Sequence, residues 1–414
     1  MRRYASVQVP GSKSLTNRAL MIAALANGTT HLTNALFSDD SLYFARALQA
    51  LGFDVQMDLD ARQMTVRGLG GRIPAKSAEL FIGNAGTAAR FLCAFLTLGN
   101  GDFILDGEPR MRERPIGDLA SALSQLGAKV ETTPTQTPPI HISAAGLSGG
   151  KAELAGDISS QFLSALLMVS PYARKPVEIN LSTELNSKPY IDMTLAVMHN
   201  FGVDISRKGY DQFKLRPGIY TALANYPIES DASAASYFFA APAVCGGAVR
   251  VENISRASLQ GDIAFIDLLE QMGCSLSEES DSIEVACNQP LHGIDVDMRD
   301  ISDTAQTLAT IAPFAVSPTH IRGIASARHK ETDRVSATCT ELMKLGVRVE
   351  EHPDGMTIFP CAQFTPAEIC TYNDHRMAMA FALIGLRVPG VRIENPGCVS
   401  KTFPGFFKVL DSLR

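Results

Sequence analysis

Apolar stretches that open with a short polar or charged cluster recur six times along the chain of 414 residues. Each cluster predicts the start of a helix, and the apolar run behind it predicts that the helix is buried over most of its length. The predicted helices are Lys13–Leu25, Asn84–Leu96, Ser159–Met168, Asp231–Val244, Asp303–Phe314 and Asn373–Leu386. A break and a short extended run follow each helix, and these strands are Thr29–Thr33, Asp102–Leu105, Val177–Ile179, Val249–Val251, Thr319–Ile321 and Val391–Ile393.

Five of the six units continue into a second predicted helix that ends at a bulky residue and a glycine. The glycines are Gly52, Gly127, Gly202, Gly273 and Gly346, which lie 75, 75, 71 and 73 residues apart. A period of this length is typical of one α/β unit per repeat. Because the polar clusters all fall at helix N-termini, where unpaired N–H groups and the helix dipole favour anions, the pattern predicts an anionic small-molecule ligand.

The sixth unit is incomplete in the sequence. Its second helix, roughly Pro404–Leu413, is followed by no strand, whereas Tyr4–Val9 is a predicted strand with no helix before it. We therefore expect the N-terminal strand to complete the sixth unit. Six units exceed a single core and predict a three-plus-three division with a boundary near Leu223–Glu229. The expected domains are residues 11–229, and residues 1–10 with 230–414, with an active-site cleft between them that closes around ligand.

Composition excludes several classes of protein. The apolar fraction of 46% and charged fraction of 19% are typical of a soluble globular protein, and a net charge of −6 argues against a nucleic-acid binder. Apolar runs are too short for a membrane span, and no signal peptide is evident, so we expect a cytoplasmic protein. Eight scattered cysteines and eight histidines show no ligand spacing, which predicts free thiols, no disulfide framework and no metal site.

The first polar cluster brings two cations, Lys13 and Arg18, to a helix start where Ser12 or Ser14 can act as the N-cap. Cations oppose the helix dipole at this end, so an anion between them is expected. No P-loop motif occurs in the chain. Farther along, Gly86 permits close approach of a ligand, although it is equally compatible with a simple turn.

Later clusters add further candidate groups. Three arginines occur in five residues, and Pro115 predicts that Arg114 lies at a helix N-terminus. Helix capping and ligand binding remain open alternatives for the polar openings at Ser159, Ser160, Gln161 and Ser187, and Asp303 can likewise be an ordinary N-cap. Charged clusters also stand at Lys330-Glu331-Thr332-Asp333-Arg334, Tyr372-Asn373-Asp374-His375-Arg376-Met377 and Lys401-Thr402-Phe403-Pro404.

Seven collinear segments resemble the signature segments of the 5-enolpyruvylshikimate-3-phosphate synthase family. They are Pro10–Leu20, Leu80–Thr87, Gly107–Ile116, Ile158–Leu163, Lys330–Arg334, Tyr372–Met379 and Lys401–Pro404. The resemblance implies the enolpyruvyl transferase fold, an inside-out α/β barrel of two similar domains with three βαβαββ repeats each. It implies a cytoplasmic transferase of the shikimate pathway, on the route to chorismate and aromatic amino acids.

The implied reaction transfers the enolpyruvyl group of phosphoenolpyruvate to the 5-hydroxyl of shikimate 3-phosphate. Phosphate leaves by addition and elimination through a tetrahedral intermediate, without a cofactor or metal. The family pattern assigns the general base to Asp303 and the proton donor to Glu331 or Lys13. It assigns shikimate 3-phosphate to Lys13, Ser14, Arg18, Ser159, Ser160, Gln161, Ser187, Asp303 and Lys330. It assigns phosphoenolpyruvate to Lys13, Gly86, Arg114, Gln161, Arg334, Arg376 and Lys401.

The sequence departs from the family pattern at a few positions. Ser326 and His329 stand where many members carry Asn and Val, so Ser326 is left out of the ligand set. Phe91 replaces a common proline behind the Gly86 loop and is expected to shift that loop slightly. Because Gly86 itself is retained, the resemblance implies inhibition by glyphosate. Nothing marks an oligomerisation surface, and a monomer is expected.

Three other functions compete with this interpretation. The sister enzyme that uses UDP-N-acetylglucosamine usually carries a reactive cysteine ahead of the arginine at position 114, and residues 107–114 contain none. A serine hydrolase is suggested by G-x-S-x-G at Gly146–Gly150, but the following residues predict a strand where a helix is required. A non-catalytic binding module would use the same cations but would not need Asp303 and Glu331.

Overall fold

The computed structural model describes residues 4–413. In that part of the chain the strands are β1 Tyr4–Gln8, β2 Asn27–Thr33, β3 Asp54–Asp58, β4 Gln63–Leu69, β5 Ser77–Phe81, β6 Asn100–Asp106, β7 Lys129–Glu131, β8 Ile140–Ala145, β9 Gly150–Leu154, β10 Val177–Leu181, β11 Ser206–Lys208, β12 Gln212–Leu215, β13 Asn225–Pro227, β14 Gly247–Glu252, β15 Ser275–Glu278, β16 Ser282–Cys287, β17 Asp295–Asp297, β18 Thr319–Arg322, β19 Val349–His352, β20 Gly355–Ile358, β21 Glu368–Ile369 and β22 Arg392–Ile393. The helices are α1 Lys13–Leu25, α2 Asp39–Ala50, α3 Gly86–Leu96, α4 Gly117–Gln125, α5 Ser160–Val169, α6 Lys188–Asn200, α7 Ala232–Cys245, α8 Phe265–Gln271, α9 Ala305–Ile311, α10 Arg334–Lys344, α11 His375–Ile384 and α12 Phe406–Asp411.

The chain divides into two compact units, each with its own hydrophobic core. We call Gly11–Ile228 the continuous unit. The discontinuous unit joins residues 4–10 to residues 229–413. The division therefore falls at two points of the chain, after Pro10 and after Ile228.

The continuous unit contains three four-stranded sheets. Their strand orders are β13-β2-β4-β3, β5-β6-β8-β7 and β9-β10-β12-β11. In the second sheet, β5 pairs in parallel with β6, and helix α3 connects the two strands. After α4, the β7–β8 hairpin adds two antiparallel strands. This βαβαββ arrangement is the repeat that the resemblance implied.

The discontinuous unit contains two four-stranded sheets, β1-β14-β16-β15 and β17-β18-β20-β19, and the two-stranded sheet β21-β22. Strand β1 pairs in parallel with β14 of the fourth repeat, from Tyr4 with Ala248 to Gln8 with Glu252. The prediction that this strand completes the sixth repeat is therefore wrong. Strand β13, which precedes α7 in the chain, instead pairs with β2. The first and fourth repeats have thus exchanged their first strands, and β1 fills the edge that β13 leaves open.

The first helix of each repeat forms the core, as the continuous apolar runs predicted. All residues of α3 and α11 are buried, and α1 is buried from Leu15 to its last residue, Leu25. A helix that is apolar on all sides is stable only inside a core. The predicted starts of these helices agree with the structure to within two residues. Helix α9 is shorter than predicted because 3-10 turns flank it at Ser302–Thr304 and Ala312–Phe314.

The second helices end as predicted at the five glycines of the 75-residue pattern. Gly52, Gly127, Gly202, Gly273 and Gly346 have φ angles of 90°, 93°, 88°, 106° and 83°, respectively. Each follows directly on the last helical turn, in the left-handed conformation that ends helices and that glycine adopts without a Cβ clash. In these five repeats the end of the second helix is therefore marked by a glycine, because the backbone there requires a positive φ angle.

Among residues 4–413, no helix combines the length and the apolar character that a membrane crossing demands.

Candidate active site

In the continuous unit, helix α1 presents Lys13 at its first turn. Ser12 is the N-cap, because the Leu15 N–H donates to Ser12 Oγ at 3.4 Å, which decides between the two predicted serines. Lys13 Nζ lies 3.6 Å from Asp40 Oδ2, in the first turn of α2. The Asp40 carboxylate thus supplies a counter-charge that offsets the unfavourable dipole for a cation at this helix end.

Arg18 lies one turn deeper in α1 and is only 1% exposed. Its guanidinium donates to Thr194 Oγ1 at 2.7 Å and to Ser164 Oγ at 3.2 Å, and to the carbonyl oxygens of Ser14 and Tyr190 at 3.1 Å and 3.2 Å. Burial lowers the pKa of Arg18 to about 10. Arg18 therefore joins α1 to α5 and α6 through neutral oxygens, and its predicted contact with shikimate 3-phosphate stays a prediction.

Phe91 of α3 is fully buried, and the Arg18 guanidinium carbon lies 5.3 Å from the centroid of its ring. The position where a proline is common in the family is therefore occupied here by an aromatic side chain that packs against Arg18. This packing gives Phe91 a role in the core behind the Gly86 loop.

Gly86 and Arg114 form one close-packed group at the start of α3. The Arg114 guanidinium donates to both the backbone oxygen and Oδ1 of Asn84, at 3.1 Å and 3.0 Å. A Cβ added at Gly86 would lie 2.4 Å from Arg114 Nη2. Gly86 is therefore required for the position of the buried guanidinium, and its role goes beyond that of a turn glycine.

The prediction that Arg114 lies at the N-terminus of a helix is wrong. Arg114 follows a 3-10 turn, Met111–Glu113, in an extended conformation, and α4 begins only at Gly117. Arg90 of α3 holds this loop, because its guanidinium donates to the Pro115 carbonyl oxygen at 2.7 Å. The arginine is positioned by a neighbouring helix and receives no help from the dipole of α4.

Helix α5 contributes the Ser159-Ser160-Gln161 cluster. Ser159 is the N-cap, since Gln161 N–H donates to its Oγ at 3.3 Å, so the capping interpretation accounts for this serine. The Gln161 side chain donates to Thr87 Oγ1 at 3.3 Å, next to Gly86. Gln161, Gly86 and Arg114 are therefore brought together, while Ser160 occupies the first helical position and is 8% exposed.

Ser187 precedes α6 with φ 58° and ψ 48°, and its side chain makes no cap hydrogen bond. A non-glycine residue in the left-handed region is strained, and such residues concentrate at functional sites. Side-chain capping therefore does not account for Ser187, and its contact with shikimate 3-phosphate stays a prediction.

In the discontinuous unit, the predicted groups lie in one network of ion pairs. Asp303 belongs to a 3-10 turn, and Thr304 is the N-cap of α9, so the interpretation of Asp303 as an ordinary helix cap is wrong. Its carboxylate accepts from Arg376 at 2.7 Å and from Arg334 at 3.2 Å, and Lys330 Nζ lies 3.8 Å away. Asp303 is therefore surrounded by three cations.

Arg334, the first residue of α10, is at the centre of this network and is 3% exposed. It donates to Asp374 at 2.7 Å and 3.2 Å and to Glu331 at 2.8 Å. Burial alone would lower the pKa of Arg334, but the surrounding carboxylates of Asp374, Glu331 and Asp303 outweigh it, and the pKa is raised. The guanidinium is therefore held firmly in its charged form.

Glu331 connects the remaining cation to the network, because Lys401 Nζ lies 3.7 Å from Glu331 Oε1. Lys330 and Glu331 precede α10, in a loop, so that consecutive side chains reach different partners. Four cations (Lys330, Arg334, Arg376 and Lys401) face three carboxylates (Asp303, Glu331 and Asp374), which leaves an excess of positive charge among these groups.

Three acidic residues near these groups escaped the sequence-based assignment. Asp40 pairs with Lys13, and Asp374 both caps α11, through Arg376 N–H at 2.9 Å, and binds Arg334. Asp262 is buried, and the Ser233 hydroxyl donates to it. Burial and the charge of Asp303 raise the pKa of Asp262 to about 6. Only Asp374 had a signal in the sequence, as part of a polar helix opening.

All eight cysteines are free thiols, as expected. Within the described part of the chain, no three His, Cys, Asp or Glu side chains form a group suited to a metal ion. Ser148 of the G-x-S-x-G match is followed by strand β9, so it lacks the helix that a nucleophile elbow requires.

Comparison with known sequences identifies the family. The sequence model of EPSP synthase (3-phosphoshikimate 1-carboxyvinyltransferase) matches residues 2–410. The chain belongs to the EPSP synthase family. It is 51% identical over 404 residues to the 3-phosphoshikimate 1-carboxyvinyltransferase of Nostoc punctiforme, covering 97% of this chain and 95% of the relative. The corresponding Shewanella denitrificans protein is also 51% identical over 404 residues, with 97% and 94% covered.

Solved structures agree with this membership. The EPSP synthase of Acinetobacter baumannii superposes with a TM-score of 0.82 at 27% identity, covering 99% of this chain and 95% of that one. The enolpyruvyl transferase NikO of Streptomyces tendae superposes with a TM-score of 0.79 at 17% identity, covering 99% and 94%, which shows the shared fold alone. The enolpyruvyl transferase fold predicted from the resemblance is thus confirmed.

Proposed function

We propose that the chain is the transferase that moves the enolpyruvyl group of phosphoenolpyruvate to the 5-hydroxyl of shikimate 3-phosphate and releases phosphate. The single observation that carries this proposal is about 51% identity, over nearly the full length, to proteins named for this activity. The product leads towards chorismate and the aromatic amino acids. Both substrates are multiply charged anions, which matches the excess of cations over carboxylates within the ion-pair network around Arg334.

The substrate assignments follow from the family pattern and are supported by the geometry of each unit. For phosphoenolpyruvate, we assign Lys13, Gly86, Arg114 and Gln161 in one unit, and Arg334, Arg376 and Lys401 in the other. The three arginines are buried and fixed by hydrogen bonds before any ligand arrives, which supports an anion site. For shikimate 3-phosphate, we assign Lys13, Ser14, Arg18, Ser159, Ser160, Gln161, Ser187, Asp303 and Lys330.

We assign the two proton transfers to groups of the same network. Asp303 is the general base for the 5-hydroxyl, since its carboxylate is fixed between Arg376 and Arg334 and keeps 14% of its side chain exposed. Protonation of the methylene carbon falls to Glu331 or Lys13. Addition forms the C–O bond to the acceptor and places the donated proton on the methylene carbon, which becomes a methyl group. Elimination returns a proton from this methyl group to the residue that donated it, restores the double bond and breaks the C–O bond to phosphate, which leaves with its electron pair.

We propose that both units contribute groups to the reaction and that the substrates bind in a cleft between them, which closes around the substrates. Cations that converge on an empty cleft repel each other, and the anionic substrates shift the equilibrium towards the closed form. We further propose that glyphosate inhibits the enzyme, on the basis of the retained Gly86. We also propose that the protein is a cytoplasmic monomer.

The test is an assay of phosphate release by the purified full chain. Release should require phosphoenolpyruvate and shikimate 3-phosphate together, and UDP-N-acetylglucosamine should not replace the latter. Asp303→Ala should lower kcat by about 100- to 10,000-fold, which is the contribution typical of a general base. Asp303→Asn preserves the shape of the side chain without its charge, and its kcat should fall by the same factor. Turnover of UDP-N-acetylglucosamine, or full activity of Asp303→Asn, would contradict the proposal.

A further inference from the structure

Two segments that carry anion-binding cations begin at strained backbone. Tyr372 and Asn373 are consecutive non-glycine residues with φ 53° and 54°, directly before α11 and Arg376. Asn395, with φ 47°, precedes the 3-10 turn Pro396–Lys401. Asparagine adopts this left-handed conformation more readily than other L residues, whereas at Tyr372 it is strained and persists only where the surroundings hold it.

The group that imposes it on the first segment is Glu341, which is fully buried on α10. Its Oε1 accepts from the Tyr372 hydroxyl at 2.7 Å, and its Oε2 accepts from the Cys370 N–H at 3.0 Å. Lys344 Nζ donates to both oxygens, at 2.7 Å and 2.9 Å. One carboxylate therefore fixes the backbone at Cys370 and the side chain at Tyr372, on the approach to α11.

The second strained segment is connected to the first. Asn395 Nδ2 donates to Asn373 Oδ1 at 3.1 Å, which joins two left-handed residues by a side-chain hydrogen bond. The segment that ends at Lys401 is thereby attached to the turn from which α11 begins.

Helix α10 completes the connection. Arg334 is its first residue, and Glu341 lies about two turns later on the same rigid element. The start of α10 is also bound to the start of α11 through the Arg334–Asp374 ion pair. The two helices are thus held together at Arg334 and Asp374 and again at Glu341 and Tyr372.

We propose that Glu341, Tyr372, Asn373 and Asn395 form a positioning latch, which sets Arg376 and Lys401 relative to Arg334. None of the four is a catalytic residue. The latch acts through the three cations, whose spacing must match the carboxylate and phosphate groups of one anion. The inference rests on the proposed assignment of these cations to phosphoenolpyruvate.

The first test compares Tyr372→Phe and Glu341→Gln with the wild type. Loss of the Tyr372 hydroxyl should raise KM for phosphoenolpyruvate about tenfold, the factor expected for a hydrogen bond to a buried carboxylate. KM for shikimate 3-phosphate should change less than twofold. Glu341→Gln should have the same selective effect, because an amide cannot accept the four hydrogen bonds that both carboxylate oxygens accept.

Tyr220→Phe is the matched control. Its hydroxyl donates to the Met168 carbonyl oxygen at 2.9 Å inside the continuous unit, so the substitution removes a buried tyrosine hydrogen bond elsewhere. It should lower Tm without changing either KM. If Tyr372→Phe lowers Tm but raises both KM values equally or neither, the residue is merely structural and the latch is refuted. If the wild type itself releases no phosphate, the proposed function fails before the latch is tested.

A second pair of variants tests the strain directly and does not depend on the buried carboxylate. Asn373 is exposed, and Asn373→Gly and Asn373→Ala both remove its bond to Asn395. Only alanine resists the left-handed conformation, so KM for phosphoenolpyruvate should be about fivefold higher for Asn373→Ala than for Asn373→Gly. Equal KM values for the two variants would overturn the proposal.

Discussion

The two units use the same helix starts but surround their basic groups differently. In the continuous unit, Arg18 and Arg114 are bound by neutral oxygens of hydroxyl, amide and backbone groups. In the discontinuous unit, Arg334 and Arg376 are bound mainly by carboxylates. An arginine with neutral partners keeps its full charge for a ligand, whereas an arginine among carboxylates is partly neutralised but rigidly placed.

This difference matches the chemistry assigned to each unit. A cation that only binds an anion keeps more of its charge for the ligand when its hydrogen bonds go to neutral oxygens, as those of Arg18 do, whereas Lys13 of the same unit is paired with Asp40. Proton transfer requires carboxylates close to the reacting atoms, and these must be paired to be buried at all. The carboxylate candidates Glu331 and Asp303 accordingly occur in the unit with the ion-pair network, and Lys13, the other candidate for the proton donor, occurs in the continuous unit. The repeated scaffold therefore fixes where the groups stand, while the partners of each cation fix what it can do.

The largest expected effect is on stability and comes from breaking the carboxylate network. Asp374→Ala leaves Arg334 buried beside one fewer carboxylate and should lower the free energy of unfolding by about 3–5 kcal/mol. Asp231→Ala is the matched control, because Asp231 caps α7 through Ala234 N–H at 2.8 Å and its loss should cost about 1 kcal/mol. Urea unfolding of the full-length variants measures both. Equal losses would mean that the network adds nothing beyond a cap.

A pH-dependent effect should follow from Asp262. Its pKa is raised from 3.8 to about 6, so the folded state binds more protons than the unfolded state between these values. Stability therefore falls as pH rises through this window, and the cost is fully present above about pH 6. Asp262→Asn removes this cost and should stabilise the protein at pH 7.5 by at most about 3 kcal/mol.

The measurement is the free energy of unfolding of Asp262→Asn and the wild type at pH 4.0 and 7.5. The advantage of the variant should lose most of its value at the lower pH, because pH 4.0 lies close to the unfolded pKa of 3.8, where little of the cost of ionising Asp262 has yet accrued. A difference in the free energy of unfolding that does not depend on pH would show that the fold does not raise the pKa of Asp262.

In the continuous unit, Gly86→Ala should act on the position of Arg114. The new Cβ would overlap the guanidinium, so KM for phosphoenolpyruvate should rise about tenfold, the factor that corresponds to one lost hydrogen bond of about 1.4 kcal/mol. Gly405→Ala, where a Cβ would meet only Phe403 at 3.8 Å, serves as the control and should leave KM unchanged. An unchanged KM in Gly86→Ala would show that Arg114 adjusts freely.

The smallest effect separates capping from ligand binding at Ser159. As an N-cap, Ser159→Ala should cost about 1 kcal/mol of stability, and Ser159→Gly only a few tenths of that. As a ligand, both variants lose the same hydroxyl and should raise KM for shikimate 3-phosphate equally. Thermal unfolding and steady-state kinetics of the two variants therefore test the two roles independently. If the KM for shikimate 3-phosphate rises more in Ser159→Ala than in Ser159→Gly, in the order of their stability losses, direct binding by the Ser159 hydroxyl is excluded.

The sequence predicted the helices well because their signals are local. The apolar run of α1 and the glycine at Gly52 each encode an element without reference to the rest of the chain. Strand pairing was mispredicted for β1 because the six repeats present similar edges, and only the tertiary fold selects β14. Arg114 and Asp303 were displaced from the predicted helix ends by 3-10 turns, which short-range patterns do not distinguish from α-helix.

The candidate site residues were assigned by resemblance, and their partners were not. Asp40, Asp262 and Asp374 reach Lys13, Ser233 and Arg334 through long-range packing, so spacing along the chain gives no indication of these contacts. The assignments to the two substrates, and closure between the units, stay predictions until they are measured.

The exchanged first strands also affect how the protein is made. Tyr4 pairs with Ala248, so β1 leaves the ribosome before the whole continuous unit and its partner leaves after it. At about 5–20 residues per second, β1 waits on the order of tens of seconds for β14. During that time it is an unpaired edge, open to wrong partners. The order of synthesis therefore exposes β1 to misassembly until the fourth repeat is complete.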